Sequence, residues 1–200
     1  MQTLEREQTF TPSTFPRLKR WTVTELEAVY QQGQGRCELI EGIVYDKMGS
    51  GGQHSKLICM LTVLLLRLYR PEQIRGQLPI RIQGGLGIYN APEPDIAITL
   101  KGASEYDDNP PAQDVLLVVE VSDSSLSFDL STKAKLYSSA GIAEYWVVDV
   151  EGERLLVHRE PTPEGYRSLR VLHGEEIATP LSCSASLKVA ELFAKSSANR

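Results

Sequence analysis

Residues 114–122, DVLLVVEVS, form an almost unbroken apolar run that carries one carboxylate, Glu120. Such a run is typical of a central strand that is covered on both faces of a sheet. A glutamate inside it is costly to bury unless a metal ion or a cation neutralises its charge. The preceding segment 94–99, PDIAIT, has strand character and carries a second acid, Asp95, near its start. We therefore expect the two acids to be held by adjacent buried strands.

A predicted helix at residues 129–141, DLSTKAKLYSSAG, follows these strands and carries two lysines. At about 100° per residue, one stripe of this helix is expected to face the sheet. The stripe consists of Leu130, Ala134, Tyr137 and Gly141. Lys133 lies about 60° from the centre of the stripe and Lys135 about 140° away, so Lys133 is predicted to reach inward. The alternative for Lys133 is an ion pair with Asp129, one turn earlier.

Each acid also has a purely structural interpretation. Asp95 follows a proline, as turn residues often do, and either acid could end its strand and face solvent. Two carboxylates with a cation nearby can instead bind a divalent metal and position a water for attack on a phosphodiester. The two acids taken together with Lys133 favour this second interpretation, which predicts a nuclease.

The order of the remaining segments predicts an α/β fold with a central mixed β-sheet flanked by helices. Residues 1–20 are interpreted as an N-terminal arm and residues 21–200 as a single domain. Three further helices are expected, from Thr22 or Thr24 to about Gln32, at 54–69 and, closing the chain, at 186–194. A hairpin is expected at 37–48 with Gly42 at its bend, and a strand pair or a bulged strand at 79–89. A buried strand is expected at 144–150, and peripheral strands at 154–160 and 166–172.

The composition limits the partners and the cellular setting. The chain has a net charge of −5, which argues against broad electrostatic binding to nucleic acid, although a local basic strip with a bound metal would suffice. The candidates for such a strip are Arg67, Arg75, Arg81 and Lys101. Three cysteines without paired spacing favour neither a disulfide framework nor a zinc site. The apolar stretch 57–68 is too short to cross a membrane, and we expect a cytoplasmic protein with no membrane partner.

Several motifs resemble those of a known family. Pro94-Asp95 and Glu120-Val121-Ser122 resemble the PD-(D/E)XK nuclease signature, with Ser122 where that signature has lysine and Lys133 in its place. With CELIEGIVYDKM, QHSKL, DLSTKAKLY and AGIAEYWVVD, the chain from about Glu38 to the terminal AELF resembles the Uma family of restriction endonucleases. The resemblance implies a restriction-endonuclease-like core with a metal-dependent phosphodiesterase site.

The resemblance also adds Glu38 and His54 to the expected site. Without it, Glu38 is interpreted as a surface strand residue and His54 as a residue at a helix N-terminus. Glu41 is an alternative to Glu38, because alternation along the hairpin places the two on opposite faces.

The expected reaction is hydrolysis of DNA with Mg²⁺ or Mn²⁺. Asp95, Glu120 and the Val121 carbonyl would supply oxygen ligands, and Lys133 would orient the nucleophile or stabilise the transition state. Glu38 could add a ligand, and His54 could contact phosphate or relay a proton. The resemblance makes a homodimer plausible. The alternatives are a non-catalytic nucleic-acid-binding module that keeps the fold, and an interaction protein that dimerises through the apolar helix.

Overall fold

The computed structural model describes residues 19–30, 36–47 and 51–194 of the chain. The predicted arm lies almost wholly outside these residues, as does the predicted end of the first helix near Gln32. That helix, α1, spans Val23–Tyr30. Thr22 begins it as predicted, because its hydroxyl accepts a hydrogen bond from the Glu25 amide, at 3.2 Å, while the Glu25 carboxylate accepts one from the Thr22 amide, at 2.9 Å. This reciprocal pair is a capping box.

A six-stranded mixed sheet forms the centre of the fold. Its strands are β3 (Ile74–Gly76), β4 (Ile96–Thr99), β5 (Val115–Ser122), β6 (Glu144–Asp149), β7 (Arg154–Thr162) and β8 (Gly165–His173). They are ordered β3-β4-β5-β6-β7-β8. The β5–β6 pair is parallel and the other pairs are antiparallel. A parallel pair requires a crossover connection, which here is helical. The predicted fold class, with its peripheral strands, is confirmed.

Helices cover both faces of β5, as its apolar run predicts. On one face, α2 (Gly52–Leu65) packs its buried leucines into a core with Val119 and Val121. On the other face, the crossover helix packs against Val118 and its neighbours. Because side chains alternate along a strand, Glu120 lies on the second face with Val118.

The crossover consists of α3 (Leu126–Phe128), a π-helical turn at Asp129–Lys133 and α4 (Ala134–Ser139). The wider π turn changes the rotation of the residues that follow, so the ideal spacing of 100° does not apply across it. Lys133 is only 4% exposed, so it reaches inward as predicted. Lys135 is exposed, as predicted. The helix ends before Gly141, which has a φ of 79°, as a C-terminal glycine does.

The predicted hairpin is confirmed as β1 (Cys37–Ile40) and β2 (Ile43–Asp46). Gly42 lies at the bend with a φ of 79°, and a Cβ there would meet the Arg20 Cβ at 2.8 Å. Backbone hydrogen bonds between Leu39 and Ala91 attach the hairpin to the segment before β4.

The prediction of a strand pair or a bulged strand at residues 79–89 is wrong. This segment forms one isolated bridge, between Arg81 and Pro111, followed by a 3₁₀ helix at Gly84–Ile88. The chain turns back on itself so closely that a Cβ on Gly87 would lie 2.2 Å from the Ile82 carbonyl oxygen. Glycine allows this approach, and the segment makes local turns in place of a ladder.

The C-terminal part adds a small antiparallel pair, β9 (Ile177–Ala178) and β10 (Leu187–Lys188), and then α5 (Val189–Phe193). The helix expected at the end of the chain is thus present. Within the described residues, every helix is either too short or too polar to cross a bilayer.

Candidate active site

Asp95 and Glu120 are buried side by side at the point where β4 begins. Asp95 immediately precedes β4, and its amide N–H donates to Glu120 Oε2 at 3.4 Å. The Val121 amide donates in turn to Asp95 Oδ2 at 2.8 Å. The two acids are 4% and 2% exposed, so the interpretation in which each faces solvent does not hold.

The other carboxylate oxygen of Glu120 accepts two hydrogen bonds. Lys133 Nζ donates to Oε1 at 2.9 Å, and the Tyr137 hydroxyl donates to the same atom at 2.8 Å. Burial raises the pKa of Glu120 to about 7, against the opposing attraction of Lys133 and Lys47. A carboxylate with so high a pKa is one that a cation would stabilise in its charged form.

Lys133 is surrounded by carboxylates. Its Nζ lies 2.9 Å from Glu38 Oε1, 2.9 Å from Glu120 Oε1 and 3.8 Å from Asp129 Oδ1. Both interpretations of this lysine therefore hold at once, since it reaches inward and also pairs with Asp129. Burial alone would lower the pKa of Lys133, but the three carboxylates raise it above its ordinary value, so the side chain stays protonated.

Glu38 reaches this cluster from the hairpin, whereas Glu41 does not. Glu38 is buried in β1, and its Oε2 accepts a hydrogen bond from the Glu93 amide at 3.3 Å. Glu41 lies exposed in the hairpin turn with a φ of 52°. The geometry therefore favours Glu38 as the member of the site.

His54 lies in the first turn of α2 with its Nε2 3.1 Å from Asp95 Oδ2. This hydrogen bond raises the pKa of His54, although burial opposes it. Burial also acts to raise the pKa of Asp95, but the His54 hydrogen bond, the charge of Lys47 and the Val121 amide outweigh it and lower the value. Among the described residues, the buried His54 Nδ1 has no hydrogen-bond partner.

One cleft of about 620 Å³ is lined by Glu38, His54, Asp95, Glu120 and Lys133. Six carboxylates line it against three lysine or arginine side chains, a formal charge of −3 before any protonation. The carboxylates are those of Glu38, Asp46, Asp95, Glu120, Asp123 and Asp129. The cations are Arg36, Lys47 and Lys133. Such a cleft attracts cations and repels a phosphate until its charge is compensated.

The basic strip considered from the sequence does not form at this cleft. Its four members contact groups elsewhere: Arg67 contacts Glu191, Arg75 contacts Asn109, Arg81 contacts Asp108 and Lys101 contacts Asp114. The cations at the cleft are instead the three named above.

The donors at the cleft suit a hard divalent cation. Mg²⁺ is commonly held by one or two carboxylates with waters completing its octahedron, and Asp95 and Glu120 offer such a pair. In the described part of the chain, no group of three or more His, Cys, Asp or Glu side chains stands ready to bind a metal. Glu38 and Glu120 are instead joined through Lys133. The Val121 amide is used by Asp95, and its carbonyl remains a predicted ligand.

Tyr137 and Lys47 belong to the site although the sequence did not single them out. Helical spacing predicts Tyr137 on the inward stripe, four residues after Lys133, which puts both on one side of a helix. Lys47 directly follows the hairpin, and its Nζ lies 3.9 Å from Glu38 Oε2 and donates to the Glu93 carbonyl. The available signal for Lys47 is its place at the end of the strand that pairs with Glu38.

Comparison with known proteins agrees with this architecture. The chain is similar to a crystal structure from Anabaena variabilis described as "a putative nuclease belonging to DUF820", with a TM-score of 0.59 and 16% identity over 82% of this chain and 94% of that one. At that identity the likeness shows the fold alone. No curated protein matches the sequence significantly. Residues 23–190 match the model of the Uma2 family, described as "Putative restriction endonuclease", and the chain belongs to that family.

Proposed function

We propose that this protein is a metal-dependent endonuclease that hydrolyses DNA phosphodiester bonds. The observation that carries the proposal is the buried Asp95–Glu120 pair at the cleft, with the Lys133 ammonium 2.9 Å from Glu120. Membership of the Uma2 family supports nuclease activity. The acidic lining of the cleft supports our assignment of the active site to it.

Asp95 and Glu120 would hold Mg²⁺ or Mn²⁺, with the Val121 carbonyl and Glu38 as further oxygen ligands. A cation bound there would lower the pKa of a water and neutralise charge on the phosphate. Because the cleft carries more carboxylates than cations, we expect metal binding to precede DNA binding. The metal preference and the choice of DNA are parts of this proposal.

Lys133 is suited to act on the attacking water or on a phosphate oxygen. Its ammonium is protonated and held in place by Glu38 and Glu120, so it can stabilise developing negative charge without first being reoriented. His54 hydrogen-bonds Asp95 through Nε2 and thereby orients that carboxylate. We assign His54 either phosphate contact or proton relay.

The test is cleavage of supercoiled plasmid and of single-stranded DNA and RNA, with Mg²⁺, with Mn²⁺ and with chelator. We expect DNA cleavage that requires metal and is lost in both Asp95→Asn and Glu120→Gln. Glu41→Gln is the control, because it changes an exposed acid that does not line the cleft. Cleavage in chelator, or cleavage retained in both variants, would contradict the proposal. DNA binding without metal binding or cleavage would identify a non-catalytic module.

We also propose that the protein forms a homodimer through α2. Val63 in this helix and Leu66, which caps its C-terminal end, are 59% and 44% exposed, and Cys59 is exposed one turn before Val63. An apolar outer stripe on a surface helix favours a protein partner, and a second copy would bring a second cleft to the other DNA strand. Light scattering of wild type and Val63→Lys tests this: a dimer that becomes a monomer is expected, and a monomeric wild type would contradict it.

A further inference from the structure

We infer that Tyr137 is a positioning residue that sets which oxygen of Glu120 would be left to bind a metal. This inference rests on the proposed function. Tyr137 is fully buried, and its hydroxyl lies 2.8 Å from Glu120 Oε1. It does not line the cleft with the acids, so it would act through Glu120 and not on the substrate.

Tyr137 and Lys133 bind the same oxygen of the carboxylate. Lys133 Nζ is 2.9 Å from Oε1, whereas Oε2 lies 3.4 Å from the Asp95 amide nitrogen. Two donors on Oε1 resist rotation of the carboxylate, and they leave Oε2 on the side of Asp95. Glu120 would therefore bind a metal through Oε2, next to the Asp95 carboxylate. Outer partners that orient a ligand in this way tune metal affinity.

Packing alone does not account for the hydroxyl of Tyr137. The ring contacts Tyr145, with centroids 5.0 Å apart, and a phenylalanine would fill the same space. Buried tyrosines need a partner for the hydroxyl, and two neighbours find one in the backbone. Tyr145 donates to the Asp129 carbonyl and Tyr166 to the Ile142 carbonyl. Tyr137 donates instead to the Glu120 carboxylate, whose charged form is disfavoured by burial.

Both donors to Glu120, Lys133 and Tyr137, lie on the same side of the crossover helix. Lys133 ends the π turn and Tyr137 lies in α4, four residues later. Residues four apart on a helix lie one above the other, which lets both side chains reach one oxygen atom. The arrangement is thus built by the same turn that brings Lys133 inward.

The test compares Tyr137→Phe with Tyr166→Phe, a control that removes a partly buried hydroxyl bonded to the Ile142 carbonyl and not to Glu120. Mn²⁺ binding is measured without DNA by electron paramagnetic resonance, and folding is verified by circular dichroism at the same temperature. We expect Tyr137→Phe to bind Mn²⁺ about 10-fold more weakly, the size of a lost hydrogen bond to a charged group. Tyr166→Phe should bind as wild type does. In cleavage assays, Tyr137→Phe should need more metal for half-maximal rate and recover most of its rate at saturation.

Three results would overturn the inference. Unchanged Mn²⁺ affinity in Tyr137→Phe would overturn the inference about Tyr137. Metal-dependent DNA cleavage by the wild type would still support the proposed function. Equal weakening in both variants would show a general loss of stability in place of positioning. Failure of the wild type to bind Mn²⁺ or cleave DNA would overturn the proposed function and the inference together.

Discussion

Glu38 and Lys133 meet at 2.9 Å between Oε1 and Nζ, which joins the β1–β2 hairpin to the crossover helix. Both side chains are about 5% exposed. Their contact brings a strand near the start of the chain beside the acids of β4 and β5. The hairpin is therefore held against the crossover helix by a buried ion pair. The loss of either partner of such a pair is strongly destabilising.

Replacing Lys133 should abolish activity and reduce stability. In Lys133→Met, Glu38 and Glu120 remain buried without their shared cation, a change that costs about 3–5 kcal/mol. Lys135→Met is the matched control, because Lys135 is exposed on the same helix. Cleavage rates and urea unfolding of the two variants measure the difference. Equal losses of activity would contradict the assignment of Lys133 to the site.

Glu38 should matter more than Glu41 for metal binding. Glu38→Gln removes a buried charge beside Lys133 and the acidic pair, so we expect weaker binding of Mg²⁺ by calorimetry and slower cleavage. Glu41→Gln changes an exposed turn residue and should leave both values unchanged. If the two variants behaved alike, the hairpin would not contribute a carboxylate to the site.

The His54–Asp95 hydrogen bond should make the stability of the metal-free protein depend on pH. The bond raises the pKa of His54, so the folded protein holds this proton more tightly than the unfolded chain. The resulting stabilisation is complete below the unfolded pKa, about 6.5, and is lost as pH rises through the folded value. The advantage of wild type over His54→Gln in unfolding free energy should shrink between pH 6 and pH 8. A constant difference across that range would contradict this reasoning.

A second buried ion pair should affect stability without affecting the site. Glu144 is fully buried and accepts hydrogen bonds from Arg159, at 2.6 and 2.9 Å, and from the Trp146 indole, at 2.9 Å. Arg159→Met leaves this carboxylate without its cation, and we expect a loss of about 3–5 kcal/mol in urea unfolding. Adding Glu144→Met should recover part of the loss, since the unpaired charge is then removed. The folded Arg159→Met variant should bind Mn²⁺ with the affinity of the wild type. A large change in that affinity would show that the Glu144–Arg159 pair is coupled to the cleft.

Local sequence patterns were sufficient for much of this structure. The apolar run around Glu120 predicts a strand covered on both faces, because a short run rich in valine is typical of such a strand. The alternation of the hairpin, the glycines at its bend and after the crossover helix, and the inward side of Lys133 also follow from neighbours within a few residues. These features depend on periods of two residues in a strand and 3.6 in a helix, which the sequence itself carries.

Tertiary structure decided how residues far apart in the chain meet. The pairing of Glu38 with Lys133, of His54 with Asp95 and of Tyr137 with Glu120 depends on where the hairpin and two helices pack on the sheet. Fixed helical spacing predicts the inward side of Lys133, but it does not predict the π turn at Asp129–Lys133, which breaks the regular period. The segment at 79–89 has the apolar content of a strand but makes local turns where a ladder partner was expected. Local spacing determined the elements of this protein, and long-range packing decided which side chains they bring together at the cleft.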